Sequence, residues 1–385
     1  MNKKYIPFSK PLIEKEEKTN VQKVLNSGWL TTGQKTKNFE NKFKKYKNAK
    51  YALALNSCTA ALHLSLLLLN LKKGDEVITS ALTFSSTINS IILAGAKPIL
   101  ADIDLKSQNI NPYEVEKNIT KKTKALLIVH FAGRPCEMNK IMKIVKKYNL
   151  ELIEDCAHAI ETKYQNKHAG TFGLFGCFSF YATKNISIGE GGMLITNNKK
   201  YYDRARILSL HGMDKAAWNR YGDSGYRHYD VSEVGFKYNL MDLLSVIGIG
   251  QLKKINQNNK KRKKIWSNYN NNFNNLSFGL PGKFSEKKIK HGYHLYNIFL
   301  NKKRDGKSRD EFILELHKKK IGVGIHYKSI PEHSIYKKLF KWKLDDYPNA
   351  KKIGRETISL PLSPSLKNKE LSRVVRAVKE IINKK

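Results

Sequence analysis

The sequence predicts an α/β protein, with a large domain built on a mainly parallel sheet and a smaller α+β domain behind it. Three observations predict this. Between about residues 51 and 210, short apolar runs alternate with stretches of helical periodicity, the order imposed by right-handed strand–helix–strand crossovers. Several of those runs are continuously apolar, as strands covered on both faces are. Beyond about residue 273 the alternation ends and the last third reads differently.

Taken in order, a helical N-terminal stretch leads into the turn-rich Ser27-Gly28-Trp29-Leu30-Thr31-Thr32-Gly33. Strands are expected at 51–56, 76–80, 98–102, 125–130, 151–155, 177–181 and 193–196, from apolar runs bounded by polar and turn-forming residues. Helices at 59–71, 85–94, 137–148 and 199–210 have the length and spacing of crossover helices. A long helical stretch from 239 to 273 then leads to a strand at 293–300, a helix at 309–320, a strand at 323–327 and a closing helix at 368–384. The chain thus divides into a large domain, 1–240, and a connecting helix with a small domain, 241–385. There is no internal repeat and no low-complexity linker.

At 385 residues and 41% hydrophobic composition the chain can bury a sizeable core, which excludes disorder. The longest apolar stretch, 60–71, is interrupted by His63, Ser65 and Asn70 and is too short to span a bilayer. Nothing near Met1 resembles a secretory leader, so a soluble, cytoplasmic protein is expected. Cys58, Cys136, Cys156 and Cys177 share no paired spacing, which argues against zinc and iron–sulfur sites and for small buried residues. The net charge of +38 raises the question of nucleic acid, but the lysines are spread along predicted helix faces and are not interleaved with aromatics. A solvated basic surface is the simpler reading, and it favours an anionic small-molecule substrate.

Ligands of open α/β sheets lie beyond the carboxyl ends of the strands, so polar residues there carry the functional reading. Four places stand out. Asn56-Ser57-Cys58-Thr59 opens a helix whose amides and hydroxyls suit a phosphate, although Ser57 and Thr59 also read as plain N-caps. Asp155 ends a nearly apolar strand and needs a cationic partner such as a protonated pyridine nitrogen, with His158 three residues on. The alternatives are a helix cap for Asp155 and a satisfied helix histidine for His158. Lys184 follows the apolar run 177–183 and precedes the turn Gly189-Glu190-Gly191-Gly192. An amine held there is partly desolvated and nucleophilic toward an aldehyde, while a lone lysine would snorkel to water. Ser179 could offer a hydroxyl to a phosphate, and Phe84 could stack on an aromatic ring or pack in the core. Together these are the parts of a pyridoxal phosphate site.

With these residues in view, the chain resembles the DegT/DnrJ/EryC1/StrS family of nucleotide-sugar aminotransferases over nearly its whole length. The motifs that carry the resemblance occur in family order. They are Gly28 to Gly33, Glu154-Asp155-Cys156-Ala157-His158-Ala159, Phe178-Ser179-Phe180-Tyr181-Ala182-Thr183-Lys184-Asn185, Gly189 to Gly192, Gly235-Phe236-Lys237-Tyr238-Asn239, Ile325-His326-Tyr327 and Ser359-Leu360-Pro361. The resemblance implies the aspartate-aminotransferase fold (fold type I), with a seven-stranded, mainly parallel large domain and a smaller C-terminal one. It implies pyridoxal 5'-phosphate as cofactor, L-glutamate as amino donor and a nucleotide-linked keto-sugar as acceptor. It also makes Lys184 the Schiff-base lysine, Asp155 the partner of the ring nitrogen and His158 the contact to the ring oxygen, where many relatives have Gln. Phe84 takes the stacking place. Ser57, Cys58, Thr59 and Ser179 fall at phosphate positions, with Cys58 where glycine is common. Asn239 matches an asparagine that reaches the phosphate across a homodimer. Thr31, Arg134, Tyr181, His326 and Tyr327 fall at substrate positions, Arg134 where Gln is common and where a structural ion pair is the alternative. Lys237-Tyr238-Asn239 and the segment from His211 to Trp218 look more like members that aminate C4 of UDP-4-keto-hexoses.

Two rival functions of the same fold remain. Sugar 3-dehydratases replace the lysine by histidine, and one branch adds cysteine ligands for a cluster; here Lys184 is present and the cysteines are scattered. A regulator that binds the cofactor without turnover would show no half-reaction with glutamate.

Overall fold

The computed structural model describes residues 4–213 and 229–383. Asp214 to Trp218, part of the segment related above to C4 amination, lie outside the described residues. The large sheet has seven strands: β1 (Tyr51–Leu55), β2 (Glu76–Ser80), β3 (Lys97–Ala101), β4 (Thr123–Val129), β5 (Glu151–Asp155), β6 (Phe175–Ser179) and β7 (Gly192–Thr196). Their spatial order is β1-β7-β6-β5-β4-β2-β3. β7 runs antiparallel to both its neighbours, and the β3-β2-β4-β5-β6 pairings are all parallel.

Both faces of this sheet are buried, which is why its strands read as continuous apolar runs. Within each strand the residues nonetheless alternate. Leu53, Leu55, Ala125, Leu127, Ile153, Cys177 and Leu194 share a core with helix residues Leu62, Leu64, Ala205 and Leu208. Ala52, Ala54, Phe178, Met193 and Ile195 face the other way, with Phe39, Phe43 and Leu252. The helices are α1 (Lys15–Ser27), α2 (Gln34–Lys47), α3 (Cys58–Leu67), α4 (Ser85–Leu93), α5 (Pro112–Lys117), α6 (Met138–Lys147), α7 (Lys199–Ser209), α8 (Asp242–Lys253) and α9 (Ile255–Phe273). Gly28 closes α1 in the left-handed conformation, φ 70°, a position that glycine takes without steric cost. The α1–α2 turn is tied to α8 by Asp242, whose buried carboxylate accepts from the amides of Gly33 (2.8 Å), Lys35 (3.0 Å) and Thr36 (2.8 Å) and from the Thr36 hydroxyl (2.7 Å). It thereby satisfies the orphan donors of the first turn of α2.

Four expectations need correction. The strand expected at 177–181 is β6, two residues earlier, so Ser179 ends it and Tyr181 lies beyond in the turn that carries Lys184. The helix expected at 59–71 stops at Leu67. The single helix expected over 239–273 is two, because Lys254 leaves the helical region at ψ 3°. The segment 323–327 is no strand; only Gly324 bridges, to Ser359. β8 (Tyr296–Phe299) pairs with β9 (Thr357–Leu360), in antiparallel fashion.

A second core gathers Trp266, Tyr269, Phe273, Tyr296, Phe312, Ile358 and Val374 with Ile6 from the N-terminus. Ile255, at the start of α9, packs in the large core and Ile265 in this one, so the two cores meet along α9. No helix among the described residues is long and apolar enough to cross a membrane.

Candidate active site

The carboxyl ends of β1, β2, β4, β5 and β6 open along one edge, and the residues singled out above gather there. Lys184 sits in a tight turn after β6, its own amide donating to the Tyr181 carbonyl at 2.8 Å and the Ile188 amide to the Phe180 carbonyl at 3.0 Å. Ser187 Oγ donates to the Ala182 carbonyl at 2.9 Å. The backbone that carries the side chain is therefore fixed. Burial pushes the Lys184 amine down to about 8, with the nearby Asp155 and Cys58 drawing it back up. An amine in that range is partly neutral near pH 8 and so is a nucleophile.

Asp155 ends β5, buried, and accepts from Thr87 Oγ1 at 3.1 Å and from the Ala157 amide at 3.0 Å. Burial raises its pKa, offset in part by the Ala157 bond and by the charge of Lys184. It makes no ion pair with any described residue. Across the edge, Ser57 caps α3 by accepting from the Ala60 amide at 3.0 Å, and the first intrahelical bond comes from Ala61. The amides of Cys58 and Thr59 are thus left over at the helix start. β7 presses against this turn. A Cβ on Gly192 would stand 2.3 Å from the carbonyl carbon of Ser57 and 2.5 Å from the Cys58 nitrogen, so only glycine permits the approach. Ser179 ends β6, with its Oγ accepting from the Tyr181 amide at 3.3 Å. Phe84, at the N-cap of α4, is 56% exposed, its ring centroid 5.6 Å from that of Tyr327.

The remaining wall is aromatic. His158 Nδ1 accepts from the Ala132 amide at 3.2 Å, and its Nε2 meets Tyr327 Oη at 2.9 Å. His294 lies against it, centroid to centroid 4.3 Å, and His326 stands 5.0 Å from Tyr327. Burial keeps all three imidazoles neutral, reinforced by the charge of Lys184; His158 and His294 lie well below the usual histidine value and His326 falls to about 3.

These residues fit pyridoxal 5'-phosphate on three observations. Among the described residues a buried carboxylate has no ion-pair partner and two helix-start amides have no acceptor, and the Phe84 ring is more than half exposed beside Tyr327. If Lys184 is the group that joins the aldehyde, covalent uptake of the cofactor by the cofactor-free protein depends on the neutral amine. The rate should rise about tenfold per pH unit well below pH 8 and level off above it. Stopped-flow absorbance across pH 6 to 10 measures this, and a rate still rising tenfold per unit up to pH 10 excludes a lysine of lowered pKa.

The other sequence candidates are placed as follows. Tyr181 is exposed beside Lys184. Asn239 donates to Thr32 Oγ1 at 2.7 Å, and the Thr31 carbonyl accepts from the Asp242 amide at 3.0 Å. Both therefore lie where the α1–α2 turn meets the start of α8, and Trp29, Leu30 and Met241 are exposed there. Arg134 does not join the cluster around Lys184 and forms no ion pair with a described residue. Its guanidinium donates to the carbonyls of Lys106 and Gly282, each at 3.1 Å. Sequence reasoning missed Thr87 and His294 as site residues and left Asn185 as a motif residue only. Asn185 immediately follows the lysine, a signal that was available; nothing local marks the other two.

A further buried group, His130, Glu154 and Cys156, has metal-ligand chemistry, but the lone pairs of His130 and Glu154 are committed. Glu154 accepts from His130 Nε2 and from the amides of Gly170, Phe172 and Gly173, at 2.7–2.9 Å. Burial raises its carboxyl, but these bonds outweigh burial and hold it below the usual range. His130 Nδ1 accepts from the Cys136 amide at 3.1 Å. All four cysteines are buried and free.

A fold type I sheet with a buried lysine, an unpaired carboxylate and a helix-start anion cup at one edge defines a pyridoxal phosphate-dependent aminotransferase. The DegT/DnrJ/EryC1/StrS aminotransferase family model matches residues 11–379. The chain is 43% identical over 379 residues to the spore coat polysaccharide biosynthesis protein SpsC of Bacillus subtilis, covering 98% of this chain and 97% of that protein. It is 45% identical over 379 residues to the uncharacterized protein MJ1066 of Methanocaldococcus jannaschii, covering 98% of each. Among solved structures, Helicobacter pylori PseC, an aminotransferase involved in the biosynthesis of pseudoaminic acid, superposes with a TM-score of 0.91 at 30% identity over 99% of both chains. The PMP form of Spr1654 from Streptococcus pneumoniae does so at 0.91 and 31% identity, covering 98% of this chain and 99% of that one. The chain belongs to the DegT/DnrJ/EryC1/StrS aminotransferase family.

Proposed function

We propose that the protein transfers the amino group of L-glutamate to a nucleotide-linked keto-sugar, a UDP-4-keto-hexose giving a 4-amino sugar. It acts in the cytoplasm as a homodimer, in surface polysaccharide or glycoconjugate synthesis. The observation that carries the reading is Lys184, an amine of lowered pKa held between an unpaired carboxylate and a ring of neutral histidines. The names of SpsC and PseC support the polysaccharide and sugar parts of it.

When bound, pyridoxal phosphate supplies an aldehyde and a protonated ring that draws electrons from the substrate carbon. Asp155 would keep the proton on the ring nitrogen. The amides of Cys58 and Thr59, with the hydroxyls of Ser57, Thr59 and Ser179, would hold the phosphate. Phe84 would cover one ring face, and His158, whose two ring nitrogens are engaged by the Ala132 amide and Tyr327 Oη, would stand beside the ring rather than bond its phenolic oxygen. Lys184 Nζ would be the nucleophile toward the cofactor's aldehyde, whose oxygen is lost as water. As a free amine, Lys184 would be the base placed to take the proton from the Cα of glutamate and, in the second half, the acid placed to return a proton to the sugar carbon that receives the nitrogen. Tyr181, His326 and Tyr327 line the space for the sugar. Arg134, tied to two carbonyls, holds the loops around it. Thr31 and Asn239 serve the partner subunit's site, and the exposed Trp29, Leu30 and Met241 around them support a dimer contact there.

A panel of UDP-, dTDP- and GDP-linked keto-sugars with glutamate, read by NMR of the product, tests this. Nitrogen at C4 of a UDP-hexose is expected. Glutamate turnover with no sugar acceptor refutes the substrate class, nitrogen at C3 refutes the position, and a fully active monomer at assay concentration refutes the shared interface.

A further inference from the structure

Hydrogen positions in the aromatic wall follow from its bonding partners. His158 Nδ1 accepts a backbone amide, so its hydrogen is on Nε2 and is donated to Tyr327 Oη, leaving the Tyr327 hydrogen free to donate elsewhere. Asn185 Nδ2 faces two acceptors, the Gly292 carbonyl at 2.7 Å and Glu161 Oε2 at 2.8 Å. A flipped amide would set oxygen against oxygen, so Asn185 Oδ1 faces His294 and accepts from His294 Nδ1–H at 2.9 Å. The amide is held from behind as well, since Arg262 donates to the Asn185 carbonyl at 3.2 Å and pairs with Glu161 at 3.5 Å. By the same logic His326 Nδ1 donates to Ser359 Oγ at 2.8 Å, because that hydroxyl donates to Asn297 Oδ1 at 3.0 Å.

His294 Nε2 therefore carries a lone pair with no protein donor among the described residues, in a ring tilted 32° against His158 at 4.3 Å between centroids and within the field of Lys184. A carboxylate or phosphate oxygen has no hydrogen to offer it. A hydroxyl does, and it can also accept from the Tyr327 O–H. We propose that His294, fixed in this tautomer by Asn185, is a specificity residue of the sugar pocket that accepts a hydrogen bond from a hexose hydroxyl through Nε2. The assignment rests on the nucleotide-sugar reading above.

The test is calorimetric binding of UDP-N-acetylglucosamine, an unreactive hexose nucleotide, and separately of UDP, to the cofactor-loaded protein. His294→Phe keeps a flat ring without the acceptor and should weaken the sugar nucleotide roughly 10- to 100-fold, with UDP changed less than about twofold. His294→Gln, which offers an amide oxygen, should recover most of the loss, and the visible absorbance of the bound cofactor verifies folding of each variant. Binding by His294→Phe equal to wild type, or equal loss of UDP and the sugar nucleotide, overturns the assignment in favour of a packing role against His158. A wild-type protein that binds neither probe instead overturns the UDP-sugar reading, and this inference with it.

Discussion

Lys184→Ala is expected to abolish amino transfer, lowering turnover by a factor of about 10⁴ or more, while the protein still folds. Loss of a positioned proton-transfer group alone costs about 10²–10⁴, and the covalent attachment is lost with it. The fold should persist because the turn is held by backbone bonds of Lys184, Ile188 and Phe180, which alanine retains. Burial opposes the charged amine, so its removal should leave the melting temperature unchanged or slightly higher. Circular dichroism melts and glutamate half-reaction kinetics on one preparation separate the two effects. Near-normal turnover in the folded variant would end the assignment of Lys184.

Asp155→Ala should weaken cofactor binding about 10²–10³-fold and reduce turnover as well. Removing one partner of a buried charge pair costs about 3–5 kcal/mol, and each 1.4 kcal/mol is tenfold. A second effect has a distinct signature. Asp155 draws the Lys184 pKa up against burial, so without it the amine deprotonates at lower pH. The covalent uptake of cofactor measured at saturating concentration should then level off below pH 8 rather than near it. Unchanged affinity together with an unshifted profile would show that Asp155 is only the cap it makes with Ala157.

The sheet was legible because seven buried strands in a row leave seven apolar runs, and each was found within two residues of its place. β6 shows the limit. In a continuous apolar stretch such as 175–183 no polar alternation marks the end, so the frame slid by two residues and put Tyr181 on the strand. Gly322 and Gly324 flank Val323, and the apparent strand at 323–327 is an irregular segment whose form depends on Ser359 and the N-terminal Phe8. Lys184, Asp155 and the α3 cup were readable because each sits at a strand end with its own local motif. His294 was not, because its meaning comes from Asn185, 109 positions away. Thr87 is likewise 68 positions from Asp155. Arg134 is a charged residue at a suggestive sequence position whose Nη1 is bonded to two carbonyls, a tie that nothing in its local motif announces.

The place of β7 has a consequence for how the protein is made. β1 begins at Tyr51, yet the strand it pairs with among the described residues is β7, which ends at Thr196. On a ribosome adding about 5–20 residues per second, β1 waits on the order of ten seconds before its partner strand exists. The helix-start cup that follows β1 is therefore brought to Lys184 by one of the last pairings of the sheet. Ribosome-bound chains stopped before Gly192 should lack a closed cofactor site, and β1 should be exposed in them to proteases and chaperones.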